Sequence, residues 1–193
     1  MEYPLSTAAR LVRVAGDEIG VTETPVNNVK YNNNNGLPWC GYFVDWCLNH
    51  AGVRGTPKQI STIQGANAMR EIGRWANTPE VGDLIYMGWG EPGAIEHVGF
   101  VVEVHKDHVI TIEGNTSDKS QANGGMVMVK KRPFDKHVIG FARPKYVAYK
   151  GEYPKVELGK STETKPKKKG LLKKWKTLKQ SQLVTLVPLL VLL

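Results

Sequence analysis

Cys40 and Cys47 are the chain's two thiols, and five histidines could serve a thiol as base. Cys40 follows Pro38-Trp39, where a helix is predicted to begin after a long polar loop. A helix N-terminus carries partial positive charge and free N–H groups. Such a setting favours the thiolate, which is the attacking form of cysteine. The same N–H groups can stabilise the oxyanion of a tetrahedral intermediate. Cys47 lies seven residues on, on the face predicted to pack inward, and reads as a small buried hydrophobe. At about 1.5 Å rise per residue the two Cα atoms stand roughly 10 Å apart, too far for a disulfide. Both are therefore expected to be free thiols.

A thiolate nucleophile needs a proton acceptor. His97 stands where a strand emerges from the turn at Glu91-Pro92-Gly93, a place where rigid scaffolds present functional groups. His50 ends a helix, His105 and His108 flank a turn, and His137 lies in a polar stretch. Those four read as surface residues. A third group must fix the imidazole tautomer. Glu113 closes the apolar run Val109-Ile110-Thr111-Ile112, and Gly114 is expected to permit a sharp turn after it. If the strands of His97 and Glu113 are neighbours, the carboxylate can reach the ring. Taken alone, Glu113 would be a strand-end carboxylate facing water.

The elements that must hold these residues divide into helices first and strands later. Ser6 or Thr7 can cap a helix whose apolar face carries Leu11, Val12, Val14 and Ala15. Residues 22–37 read as loop, with Pro25, Gly36 and six asparagines between Asn27 and Asn35. The second helix runs from Trp39 to His50, with Gly52 as its stop; a third is expected over Ile60–Arg70. Strands are predicted at Leu84–Met87, Val98–Val104, Val109–Glu113, Val127–Lys131 and Val138–Arg143, the last two completing a meander. The result is an α+β domain, N-terminal helices packed on an antiparallel sheet. It is expected to occupy 1–149, followed by a basic linker over 150–170 and an amphipathic, hydrophobic tail over 171–193.

Four segments, in order, resemble the successive motifs of CHAP domains: Pro38-Trp39-Cys40-Gly41-Tyr42-Phe43-Val44, Gly82-Asp83-Leu84-Ile85, Glu96-His97-Val98-Gly99-Phe100-Val101 and Ile112-Glu113-Gly114-Asn115. The resemblance spans roughly residues 6–146. Glu23-Thr24-Pro25 through Tyr31 is similar to the N-terminal portion of phage endolysins of this family. The resemblance implies a papain-like, NlpC-type fold and amidase or endopeptidase action on bacterial peptidoglycan. It implies Cys40 as nucleophile, His97 as general base and acid, and Glu113 as the group orienting His97. Asn115 would assist that orientation or the oxyanion site. Trp39 and Trp89 are candidate lining residues of a substrate groove. Some CHAP domains bind calcium in an acidic loop upstream of the cysteine. The corresponding loop here offers Asn27, Asn28 and Asn32 to Asn35 with no carboxylate after Glu23, so no tight calcium site is expected. Zinc is not expected either, since no His/Cys cluster has ligand spacing.

Charge is distributed unevenly. The net +8 resides wholly in the last 34 residues, where nine lysines face one glutamate, Glu163. A neutral body with a cationic arm argues against a basic nucleic-acid-binding domain. Lys165–Lys169, with Lys167, Lys168 and Lys169, is a basic run, after which Leu171, Trp175 and Leu178 recur at helical spacing with Lys173, Lys174, Lys176 and Lys179 around them. That composition reads as an attachment device for anionic membranes or wall polymers. The apolar end from Leu183 is too short for an ordinary membrane-spanning helix, which needs about 20 residues, and Pro188 interrupts it. No signal peptide is read at Met1-Glu2-Tyr3-Pro4, so the expected location is a host cytoplasm until release to the wall. The expected partner is peptidoglycan, and the expected state a monomer.

Overall fold

The computed structural model describes residues 2–157. The compact unit continues past residue 149: Tyr153 packs edge-on against Tyr149, and Val156 packs on the core. The predicted tail, including Lys167, Lys168, Lys169, Lys173, Lys174, Trp175 and Lys176, lies outside the described residues.

Three α-helices precede a six-stranded antiparallel sheet. Helix α1 (Ala8–Gly16) is capped by Thr7, whose hydroxyl accepts from the Arg10 N–H, and buries Leu11, Val12 and Ala15. A single 3₁₀ turn at Lys30–Asn32 breaks the Asn-rich loop. Helix α2 (Cys40–His50) starts directly at the cysteine, with Trp39 as N-cap. Helix α3 (Thr62–Glu71) is capped by Ser61.

The strands are β1 (Trp75–Ala76), β2 (Leu84–Met87), β3 (His97–Val104), β4 (His108–Thr116), β5 (Met126–Pro133) and β6 (Val138–Ala142). Their order is β1-β6-β2-β3-β4-β5. The expected meander therefore holds only from β2 to β5. β6 crosses back to pair with β2, where Ile85 faces Phe141 and Leu84 faces Ala142. The Gly82-Asp83 motif secures this closure. Asp83 accepts from Arg143 Nε and Nη2, both at 2.9 Å, and from the Glu80 N–H at 2.8 Å.

Two apolar clusters occupy the two faces of the sheet. Phe43, Val44, Cys47 and Leu48 of α2 pack with Val98, Phe100, Ile110 and Ile112. Ile85, Met87, Val101, Val109 and Phe141 form the second cluster. Strand alternation thus turns Ile110 and Ile112 toward α2, and Thr111 and Glu113 to the other face.

Candidate active site

Strands β3 and β4 are neighbours, with Phe100 opposite Ile112. One step along that register brings Glu113 against Gly99. A Cβ on Gly99 would lie 2.6 Å from Glu113 Cγ, so the glycine leaves the space that the glutamate occupies. His97, at the start of β3, then donates from Nε2 to Glu113 Oε2 at 3.1 Å. Both side chains are fully buried. Glu113 is therefore not the water-facing carboxylate that its position alone implied.

Gly114 makes no turn. It lies inside β4, where a Cβ would meet Phe43 and Trp39 at 2.6–2.8 Å, so its bareness lets α2 approach the strand. The irregularity falls one residue later, at Asn115 (φ +58°), where the β4–β5 register shifts.

The N-terminus of α2 lies against the start of β3. The backbone N–H groups of Val98 and Gly41 act on the Cys40 thiol in the sense that favours its thiolate. Phe43 N–H is the first to find a helical acceptor, the Trp39 carbonyl, so the N–H groups of Cys40, Gly41 and Tyr42 have none within the helix. Cys40 is 5% exposed. His97 Nδ1 is buried without a partner meeting hydrogen-bond geometry, yet the Cys40–His97 interaction dominates the favourable influences on both groups.

The electrostatics follow from these contacts. Burial opposes ionisation of Cys40, but the adjacent imidazole and the two N–H groups outweigh it and lower the thiol pKa. Burial likewise opposes a charged His97, but Cys40 and Glu113 push its pKa up to about 9. Glu113 is also penalised by burial; Arg132 and His97 hold its carboxyl well below the usual range. The shifts favour a thiolate–imidazolium pair backed by a carboxylate. It can attack a carbonyl and then protonate a leaving group.

Other candidates occupy different roles. Asn115 does not bond His97. Its Nδ2 donates to Asn123 Oδ1 at 2.8 Å and its Oδ1 accepts from the Gly125 N–H at 3.3 Å, bracing the β4–β5 connection. Trp39 is completely buried, so it offers no groove surface. Its Nε1–H donates to Glu23 Oε2 at 2.6 Å. Trp89 is half-buried, its ring 6.0 Å from that of His97. Glu96 holds the Trp89 segment by accepting from the N–H groups of Trp89 and Gly90 at 2.6 and 3.0 Å. His50 and His105 are exposed, and His108 and His137 half-buried.

Arg132 and Thr111 were not anticipated. Thr111 Oγ1 donates to Glu113 Oε1 at 2.5 Å, and Arg132 reaches both carboxylate oxygens. Thr111 had a signal: Thr111 and Glu113, two apart, alternate with the apolar Ile110 and Ile112 and so make a polar stripe on one strand face. Arg132 had none, because it enters from β5 and the predicted strand stopped at Lys131.

The Asn-rich loop is held largely by its own hydrogen bonds. Asn32 spends its amide internally, donating to the carbonyls of Asn27 and Leu37 and accepting from Val29 and Asn34. Asn27 Oδ1 and Asn28 Oδ1 are buried without partners, but the nearest carboxylate in sequence, Glu23, is engaged by Trp39. Two neutral side-chain oxygens lack the charged ligands that a tight calcium site usually has.

The family model of the CHAP domain matches residues 32–115, a segment that includes Cys40, His97, Glu113 and Asn115. No curated protein matches the chain. Residues 32–115 thus match a CHAP domain, and the three helices and six-stranded antiparallel sheet fit an α+β CHAP fold. CHAP domains are typically cysteine/histidine peptidoglycan amidases or endopeptidases, which makes peptidoglycan the implied substrate.

Proposed function

We propose that this CHAP-domain chain hydrolyses an amide bond in the peptide part of peptidoglycan, using Cys40 as nucleophile. The observation that carries the reading is the Cys40–His97–Glu113 constellation at the N-terminus of α2. His97 Nδ1 takes the thiol proton, and the thiolate adds to the amide carbonyl carbon. First-turn N–H groups of α2 are suited to the resulting oxyanion. The imidazolium then gives its proton to the leaving amine, the C–N bond breaks and a thioester remains. His97 next deprotonates a water molecule, whose attack releases the carboxylate and restores the thiol. All of these groups are side chains or backbone of the chain itself, so the reading needs no cofactor.

We further propose a phage endolysin, acting as an N-acetylmuramoyl-L-alanine amidase or an endopeptidase and causing bacterial lysis. It would be held in the host cytoplasm until it gains access to the wall. The lysine-rich sequence from 160 onward supports an auxiliary role in attraction to anionic wall or membrane. A second reading, killing mainly through that cationic stretch, is favoured by its Lys and Trp content.

Mass spectrometry of fragments from purified peptidoglycan tests the main reading and identifies the bond. Wild type is expected to release fragments with new amine and carboxylate ends. Cys40→Ala is expected to lose at least about 10⁴-fold in rate with unchanged thermal stability. Equal release by the variant would sink the reading, and equal killing by it would favour the second one.

A further inference from the structure

Arg132 lies outside the matched CHAP segment, and its role rests on the catalytic reading above. Its residue is 8% exposed. Nε donates to Glu113 Oε1 at 2.7 Å and Nη2 to Glu113 Oε2 at 2.5 Å, a parallel two-point contact. The third nitrogen, Nη1, donates to Gln121 Oε1 at 2.6 Å. The guanidinium lies 5.4 Å from the Trp89 ring centroid, on the ring that neighbours His97. With Thr111 and His97, the Glu113 carboxylate accepts four hydrogen bonds in a site closed to water.

We infer that Arg132 is a positioning residue, which keeps Glu113 ionised and turned toward His97 Nε2, with Gln121 and Trp89 orienting the guanidinium. An isolated carboxylate this buried would take up a proton. A neutral Glu113 would no longer stabilise an imidazolium. Charged Glu113 also fixes the tautomer: the ring proton stays on Nε2, leaving the Nδ1 lone pair free for the Cys40 proton. With thiolate, imidazolium, carboxylate and guanidinium together, the buried charges cancel. Removing Arg132 leaves one excess negative charge, which proton uptake by Glu113 would relieve.

No other cation takes this place among the described residues. Lys130 lies two residues before Arg132 on the same face of β5, but its Nζ binds the Ser117 carbonyl and Asp118. Cys40 from α2 and His97 from β3 are the reacting pair. The Glu96 carboxylate is held by the backbone of Trp89 and Gly90, and His137 stacks on the ring of Trp89.

The test uses Arg132→Met and Arg132→Lys in the full chain, with two readouts against pH. One is the rate of Cys40 alkylation by iodoacetamide, which needs no peptidoglycan. The other is kcat and KM on purified peptidoglycan. For Arg132→Met the expected kcat falls about 10- to 100-fold with KM little changed. The acid limbs of both profiles are expected to move up by about one pH unit or more, because Glu113 protonates more readily. Arg132→Lys keeps the charge but loses the two-point contact and is expected to fall between. If Arg132→Met does not fold, the lysine variant alone must show the shift. Profiles unmoved in either folded variant, with only a lower melting temperature, would reduce Arg132 to a structural residue and overturn the inference. A chain whose alkylation profile shifts but which leaves peptidoglycan intact would instead remove the proposed substrate and leave this inference standing.

Discussion

Cys40 and Cys47 sit seven residues apart on one helix and are both buried, yet their thiols titrate in opposite directions. Burial raises Cys47 well above the usual thiol range; Glu18 adds to that rise and Lys30 only partly offsets it. Burial acts on Cys40 in the same sense, but His97 and the Val98 and Gly41 N–H groups reverse it. The pair teaches that depth alone does not set reactivity. What differs is the supply of a base and directed donors, and α2 delivers those only at its first turn, where its N–H groups are unspent.

Removing the base should erase the contrast. His97→Ala is expected to raise the Cys40 thiol toward the behaviour of Cys47 and to slow peptidoglycan cleavage about 10³-fold, read from fragment release. Retained activity in a folded variant would mean that another base serves Cys40. The pH profile of the wild type should carry the same signature. His97 must be protonated to supply the leaving amine, and its pKa lies near 9. Single-turnover cleavage is therefore expected to fall as pH rises through about 9, while lowering the pH from there to 7 preserves it. A profile rising steadily beyond that value would contradict the ion pair.

A gentler variant sharpens the comparison by moving the orienting group. Gly99→Ala places a methyl 2.6 Å from Glu113 Cγ, so the carboxylate must shift from the ring. About a tenfold loss of kcat is expected, with KM nearly constant. The smallest effect on catalysis belongs to the inert thiol. Cys47→Ser is expected to leave the cleavage rate within about twofold while costing about 1–3 kcal/mol in denaturant unfolding, because an unpaired hydroxyl replaces a buried sulfur. Loss of cleavage in that variant at full stability would undo the distinction between the two thiols.

Much of the site was readable because short-range rules governed it. The position of Cys40 followed from Pro38 and the helix that follows, and His97 from its place at a strand start. What escaped depended on registry across strands. Glu113 looked terminal because Gly114 resembles a turn residue, but the glycine answers to Phe43 and Trp39, which belong to α2. Trp39 looked like a groove residue, but Glu23 draws its indole inward. Asn115 points to the β5 side because its positive φ swings it off the strand path. Strands β2 to β5 were predicted within a few residues from alternation. The two-residue β1 is too short to show alternation, and the crossing of β6 to β2 is fixed by the contact of Asp83 with Arg143, sixty residues apart.

The central claim is that Cys40 is an activated nucleophile and Cys47 is not. Peptide mass spectrometry after brief iodoacetamide treatment of the native chain at pH 7 tests it most directly, because it scores both thiols in one sample. Modification of Cys40 at least about 100-fold faster than Cys47 is predicted, with the Cys40 rate persisting well below the ordinary thiol value of 9.0. Equal rates at the two sites, or a Cys40 rate that grows only above that value, would contradict the account.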